Sequence, residues 1–216
     1  MDYVINGITI RSENAAKPHT MPSGYLCDYI KSSVKTGSAL DFGCGKLRYS
    51  EQLIDKFEVV TFLDSRKQLE RVQIIRGMQT TIPEYVHNNY KKASVVCYED
   101  ILKIQNCYDF ILCANVLSAI PCKSTIDKVI VGIRDLLKDD GEAIIVNQYK
   151  SSYFKKYEAG TNHLHGYIYQ NSRSASYYGL LDEGLVSEIC LGNDLSIIKS
   201  WSKAGSSYVV VGRKFK

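Results

Sequence analysis

Residues 39–46 read Ala39-Leu40-Asp41-Phe42-Gly43-Cys44-Gly45-Lys46, a short apolar segment that runs into two closely spaced glycines. The apolar half predicts a buried β-strand, and the glycine half predicts a tight turn that opens a helix. The ends of strands in open α/β sheets face a ligand crevice, and a glycine, which has no Cβ, lets a ligand approach the backbone closely. The segment therefore predicts a ligand-binding α/β fold.

The rest of the chain alternates between strand-like and helix-like segments, which predicts a mostly parallel sheet with helices on both faces. Runs of apolar and β-branched residues predict strands at residues 39–42, 58–64, 93–98, 108–115, 142–148, 195–201 and 207–212. Apolar positions at helical spacing predict helices at residues 24–36, 49–57, 68–75, 125–137 and 174–183, with Gly141 as a helix C-cap and residues 76–92 as an irregular polar region. The last two strands flank the turn at residues 203–206, which predicts an antiparallel C-terminal hairpin.

Two segments lie outside this alternation within a single predicted domain of residues 1–216. Residues 1–36 predict a short hairpin, a loop and a helix that Ser23 caps. Residues 149–180 form an insertion, and its polar and aromatic first part, residues 149–173, is typical of a loop-rich structure.

Length and composition limit the class of protein. With 216 residues, 45% of them hydrophobic, the chain has material for one sizeable core. Its seven cysteines are odd in number and none forms a CxxC pair or a metal-ligand cluster, so reduced thiols in a cytoplasmic protein without a metal site are expected. No apolar run approaches the ~18 residues of a membrane span, and a net charge of +4 does not by itself indicate nucleic acid as a partner.

The glycine segment resembles the first motif of the class I S-adenosyl-L-methionine (SAM) methyltransferases, in which an acid precedes three alternating glycines. Asp41, Gly43 and Gly45 match the motif, and Leu47 replaces the third glycine. The resemblance covers roughly residues 36–148 and the terminal hairpin. It implies a Rossmann-like three-layer αβα sandwich, with a mostly parallel seven-stranded sheet and an antiparallel C-terminal hairpin. It also implies that SAM is the cofactor.

The resemblance extends to the polar residues after the next strands. It implies that Asp64 holds the ribose hydroxyls, that Asp100 faces the adenine amine, and that the cofactor site comprises Asp41, Gly43, Cys44, Gly45, Asp64, Ser65, Asp100, Ile101, Asn115 and Val116. The spacing of Asp64 from the glycines also suits a NAD-binding fold. The acid at Asp100 and the C-terminal hairpin favour SAM.

The acceptor side carries weaker signals. Methyltransferases of exocyclic base amines usually have Asn/Asp-Pro-Pro-Tyr/Phe where this chain has Asn115-Val116-Leu117-Ser118, which favours a small molecule or a protein as acceptor. His163 and His165 are weak candidates for a general base, because histidine titrates near pH ~6.5. His19, Tyr149 and Arg173 are candidates for acceptor binding, with residues 1–36 as a lid and residues 149–180 shaping the acceptor site.

Three alternatives stay open at the level of sequence. The basic segment before the glycine motif resembles a layout found in methyltransferases of bacterial DNA modification and defence, so nucleic acid is an alternative acceptor. A SAM-binding scaffold without turnover is another, for which Leu47 is the main indication. A NAD-linked oxidoreductase is the weakest, because its glycine fingerprint needs a glycine at Arg48. The sequence predicts neither the methylated atom nor the oligomeric state.

Overall fold

The structure is a computed structural model that describes residues 2–15, 20, 22–103, 108–150, 152–172 and 174–214. The helices are α1 (Gly24–Ser32), α2 (Ser50–Lys56), α3 (Arg66–Glu70), α4 (Ile82–Asn89), α5 (Lys123–Leu136) and α6 (Glu183–Leu191). The strands are β1 (Asp2–Ile5), β2 (Ile8–Arg11), β3 (Ser38–Phe42), β4 (Val59–Asp64), β5 (Gln73–Ile75), β6 (Met78–Thr80), β7 (Ala93–Cys97), β8 (Tyr108–Ala114), β9 (Leu137–Gln148), β10 (Thr161–His163), β11 (Gly166–Gln170), β12 (Ala175–Gly179), β13 (Leu195–Lys203) and β14 (Ser206–Arg213).

The predicted central sheet is confirmed. Seven strands pair in the order β13-β14-β9-β8-β3-β4-β7, and the five from β9 to β7 are parallel. Strand β14 runs antiparallel to both of its neighbours, so the C-terminal hairpin closes one side of the sheet. Consecutive residues such as Ala39 and Leu40 enter two different apolar clusters, one on each face of the sheet. Helices therefore cover both faces, as a buried parallel sheet requires.

The region between β4 and β7 differs from the sequence prediction. The helix expected at residues 68–75 ends at Glu70, and Gln73–Ile75 pairs instead with Met78–Thr80 in a small hairpin. Arg76 and Gly77 both have positive φ angles, as a two-residue hairpin turn demands. The polar region up to residue 92 contains α4, whose start has a capping box between Thr81 and Glu84 that the sequence analysis missed.

Gly141 is not a helix C-cap, so that prediction is wrong. Helix α5 ends at Leu136 and β9 begins at the next residue, which places Gly141 inside the strand. The register between β8 and β9 shifts here, and a Cβ on Gly141 would lie 2.7 Å from the carbonyl oxygen of Tyr108. The absence of a Cβ at Gly141 therefore allows β8 and β9 to approach closely where their register shifts.

A second sheet joins the two segments that lie outside the alternation. Its strands pair in the order β1-β2-β12-β11-β10, and β12 meets β2 in parallel through Ala175 and Ile10. The helix predicted at residues 174–183 is wrong, because alternate residues of this segment, Ala175 and Tyr177, are buried against Ile10 and Ile168. Helix α6 begins only after Asp182, whose side chain accepts the backbone N–H of Leu185. The stretch expected to be loop-rich also contains β10 and β11.

Two further expectations concern membrane-spanning helices and the state of the cysteines. Among the helices of the described ranges, none combines the length and apolar character that crossing a bilayer requires. The six cysteines in those ranges, Cys27, Cys44, Cys97, Cys113, Cys122 and Cys190, are free thiols.

Candidate functional site

A cleft of about 960 Å³, part of it open to solvent, lies beyond the carboxyl ends of β3, β4 and β8. Strand β3 has β4 on one side and β8 on the other, so the chain leaves β3 first toward one edge of the sheet and later toward the other. This change of direction is the topological switch point at which open α/β sheets bind ligands. The cleft therefore lies where the glycine segment predicts it.

The glycine turn after β3 is held against the end of β4. The backbone N–H groups of Gly43 and Cys44 both donate to the carbonyl oxygen of Leu63, at 2.7 and 3.0 Å. Gly43 has a φ of +80°, and a Cβ added there would lie 2.3 Å from Cγ2 of Val116. The turn thus packs directly on the segment that follows β8, and both line the cleft.

Leu47 retains a glycine-like backbone at the position where the motif departs from the family pattern. Its φ is +57°, in the left-handed region, while its side chain is fully buried in the core. A left-handed conformation costs a non-glycine residue about 1–2 kcal/mol. Core packing by Leu47 offsets this cost, so the turn keeps its shape without the third glycine.

Replacing Leu47 with alanine tests this account. The variant keeps the left-handed strain but loses the core packing, so its free energy of unfolding is expected to fall by about 2–4 kcal/mol. Urea denaturation of the wild type and the variant measures the difference. A loss under about 0.5 kcal/mol, the range of a surface substitution, would show that the side chain does not stabilise the turn.

Asp64 is anchored by the backbone of the glycine turn. Its Oδ2 accepts the N–H of Gly45 at 2.9 Å, and its Oδ1 accepts the N–H of Ser65 at 2.8 Å. Burial raises the pKa of Asp64, and these two hydrogen bonds oppose the rise. Oδ1 also accepts the hydroxyl of Ser65 at 3.4 Å, whereas Oδ2 retains a second lone pair, so the group is fixed in place and can still accept a hydrogen bond from a ligand.

Asp41 lies at the end of β3 and is buried, with only 3% of its surface exposed. Burial, and secondarily the nearby carboxyl group of Asp64, raise the pKa of Asp41 to about 8. In the part of the chain that the structure describes, no donor forms a hydrogen bond with its carboxyl group. A cation or a hydrogen-bond donor bound in the cleft would relieve this unfavourable environment.

Asn115 and Val116 form the third side of the cleft, after β8. Asn115 has a φ of +61°, and its Oδ1 accepts the N–H of Gln148 at 3.0 Å. Its own N–H donates to the carbonyl oxygen of Val146 at 2.7 Å. Two hydrogen bonds to the end of β9 therefore fix the turn that carries Val116 toward Gly43.

The structure brings together most of the predicted cofactor residues. Those that line the cleft are Asp41, Gly43, Cys44, Gly45, Asp64, Ser65, Asn115 and Val116. Asp100 and Ile101 do not line it. Asp100 forms an ion pair of 3.1 Å with Arg66, and Ile101 packs near Gly132 of α5. Tyr98 lines the cleft in their place, with its ring 5.9 Å from that of Phe42.

The predicted base and acceptor residues that the structure describes lie outside the cleft lining. His163 donates from Nε2 to the carbonyl oxygen of Pro121 at 2.7 Å, so this nitrogen carries its proton and is not a base. His165 lies in the turn between β10 and β11, and Tyr149 shares a hydrogen bond of 2.9 Å with Ser202 of the terminal hairpin. None of these three lines the cleft. His19 and Arg173 lie outside the described residues.

The N-terminal segment supplies cleft residues that the sequence analysis missed. Tyr3, Ser12 and Glu13 line the cleft. Lys67 of α3 bridges Glu13, at 2.9 Å, and Asp2, at 2.7 Å, and so ties this segment to the cleft. No local pattern indicates these contacts, because they join residues that are far apart in sequence.

Gln68 is a further lining residue that the sequence analysis missed, and its side chain is 1% exposed. The sequence did offer a signal for this contact, because Gln68 lies four residues after Asp64 on a helix that begins just after β4.

Comparisons with known proteins show the family to which this chain belongs. The family model described as "Tellurite resistance protein TehB" matches residues 20–174. The uncharacterized protein YmfD of Escherichia coli strain K12 is 66% identical over 212 residues, which cover 98% of this chain and 96% of YmfD.

Two solved structures have the same fold. A SAM-dependent methyltransferase from Clostridium acetobutylicum matches with a TM-score of 0.61 at 15% identity, over 88% of this chain and 89% of that one. The PH0226 protein of Pyrococcus horikoshii matches with a TM-score of 0.65 at 16% identity, over 86% of each chain.

Proposed function

Since this chain belongs to the TehB family and has the fold of the class I methyltransferases, we propose that it binds SAM and transfers a methyl group to a small-molecule acceptor. The observation that carries the proposal is the arrangement of Asp64. Its carboxylate is held by two backbone N–H groups at the end of β4 and faces a cleft at the switch point of the sheet. Such a fixed acceptor fits the two hydroxyls of a ribose.

The other cleft residues fit the rest of the cofactor. Gly43 and Gly45 allow close approach to the backbone, and the buried carboxyl of Asp41 suits the cationic or hydrogen-donating amino-acid end. When bound, SAM supplies a methyl group that its positive sulfur has already activated. The protein then has to hold the acceptor in line with that methyl group and exclude competing nucleophiles.

The enclosure of the cleft supports a small acceptor. Tyr3, Ser12 and Glu13 cover one side, and the apolar side chains of Ile120 and Val129 line another. The motif typical of base-amine methyltransferases is absent after β8, which disfavours nucleic acid as acceptor. The printed family name makes tellurite one acceptor to assay beside organic metabolites. The free thiols and the Escherichia coli relative support a bacterial cytoplasmic location.

Titration calorimetry with SAM, S-adenosylhomocysteine and NAD tests the cofactor. The wild type is expected to bind the first two and not NAD. Asp64→Asn is expected to weaken SAM binding at least tenfold, because hydrogen bonds to a charged acceptor contribute about 1.5–3 kcal/mol. Asp100→Asn is the matched control and should leave the affinity unchanged, since Asp100 pairs with Arg66 outside the cleft lining.

The outcomes separate the alternatives. NAD binding without SAM binding would overturn the proposal, and equal SAM affinity in the wild type and Asp64→Asn would defeat the role of Asp64. SAM binding without methyl transfer to small molecules, proteins or nucleic acids would favour a scaffold. Transfer to DNA or RNA alone would replace the proposed acceptor class.

A further inference from the structure

Gln68 carries a buried acceptor atom that has no hydrogen-bond partner among the described residues. The side chain lines the cleft from α3, yet the residue is only 1% exposed. Its amide nitrogen Nε2 donates to the carbonyl oxygen of Gly45 at 2.7 Å and to Oε1 of Gln73 at 3.3 Å. Its Oε1 is buried and forms no hydrogen bond with any residue in the described ranges. A buried polar atom without a partner is costly, and native proteins leave few of them.

The orientation of the amide follows from its neighbours. Both partners of the nitrogen, the Gly45 carbonyl and Oε1 of Gln73, are acceptors, so a flipped amide would place oxygen against oxygen at both contacts. Gln73 is fixed in turn, because its Nε2 donates to the backbone carbonyl of Gln68 at 3.3 Å. The unpaired atom is therefore the oxygen, which accepts hydrogen bonds and cannot donate them.

Gly45 connects the side chain of Gln68 to that of Asp64. The N–H of Gly45 donates to Oδ2 of Asp64 at 2.9 Å, and its carbonyl accepts from Gln68 at 2.7 Å. One residue of the glycine turn thus connects the two side chains, and both line the same cleft. Gln68 and Asp64 thus flank the same glycine in the lining of the cleft.

We infer that Gln68 is a specificity-determining residue of the cofactor site, whose Oε1 accepts a hydrogen bond from one of the two ribose hydroxyls. The inference rests on the proposed function, because it takes Asp64 as the ribose acceptor. The hydroxyl donates to Gln68 and keeps its lone pairs for other donors, while Asp64 accepts from the second hydroxyl. A nucleoside that lacks the hydroxyl read by Gln68 leaves the buried oxygen unpaired and binds more weakly.

The test compares S-adenosylhomocysteine with its 2′-deoxy and 3′-deoxy analogues by titration calorimetry. Gln68→Met keeps the length of the side chain and removes the acceptor. Its preference for the natural ligand over one of the two deoxy analogues is expected to fall roughly tenfold, while its preference over the other stays unchanged. The matched control is Gln79→Met, which changes an exposed glutamine of β6 outside the cleft lining and should keep both preferences.

A purely structural role would change the affinities without changing the preferences. Equal weakening of all three ligands in Gln68→Met, or no weakening, would overturn the inference. If that variant does not fold, Gln68→Lys, which keeps a nitrogen donor for Gly45 and Gln73 and lacks the acceptor oxygen, is expected to show the same selective fall, and unchanged preferences in a folded Gln68→Lys protein would also overturn the inference. Failure of the wild type to bind any of the three ligands would instead refute the proposed function, and with it the premise of this inference.

Discussion

Gly43→Ala is expected to destabilise the protein by about 3 kcal/mol, from backbone strain of about 1–2 kcal/mol and overpacking of similar size. The backbone at Gly43 has a φ of +80°, and the new Cβ would lie 2.3 Å from Cγ2 of Val116. The side chain of Val116 has little freedom to move away, because it is branched at Cβ. Since both residues line the cleft, SAM binding should weaken as well. Urea denaturation and calorimetry measure the two effects.

A second substitution separates strain from overpacking. Val116→Ala removes the methyl group that the new Cβ would meet, so it should destabilise the wild type but stabilise the Gly43→Ala protein. The double variant should still be less stable than Val116→Ala alone, because the left-handed strain at residue 43 remains. Additive losses in the double variant would contradict the contact between the glycine turn and the segment after β8.

Asp41→Asn is expected to make the ligand-free protein more stable at pH 8, by on the order of 5 kcal/mol, and to leave its stability nearly unchanged at pH 4. Burial and the neighbouring Asp64 raise the pKa of Asp41 to about 8, whereas an aspartate in an unfolded chain titrates near pH ~3.9. The folded state therefore keeps a proton that the unfolded state has lost. As the pH rises from about 4 to about 8, this group favours unfolding.

The measurement is the free energy of unfolding from urea titrations at several pH values. The wild type should lose stability with rising pH through this window, and the variant should lose less. The pKa of Asp64 is also raised, so in both proteins Asp64 lowers the free energy of unfolding as the pH rises. Identical slopes would show that Asp41 is not protonated in the folded state. Under the proposed function, the same variant should bind SAM more weakly. A residue that serves binding can lower the stability of the folded protein, so its replacement can raise stability and reduce affinity together.

The sequence predicts the central sheet well because its signals are local. Each parallel strand contains a short apolar run, and the glycine turn and Asp64 follow closely after two of these runs. Parallel strands end at a common edge, so the order of elements is enough to place the two carboxyl groups near each other. The predicted hairpin at the C-terminus is local in the same way.

The errors arise where distant residues decide the structure. Residues 175–179 have a helical pattern, but Ile10 and Ile168 bury alternate side chains and select a strand. Asp100 follows its strand as the family pattern requires, and its place in the cofactor site stays a prediction, while the structure pairs it with Arg66 outside the cleft lining. The orphan oxygen of Gln68 depends on two acceptors that only the folded chain places beside its amide. Neither the spacing of residues nor the composition of the chain indicates such contacts.

The pairing of β2 with β12 also constrains how the molecule assembles during translation. Strand β2 leaves the ribosome early, but its partner in the second sheet is synthesised only after β9. Contacts between such distant segments form slowly, because a long loop of chain must close first. The Rossmann-like sheet therefore has its five parallel strands available before the N-terminal hairpin gains its neighbour. We therefore expect the wall of the cleft that Tyr3, Ser12 and Glu13 line to be completed late in folding, after the glycine turn is in place.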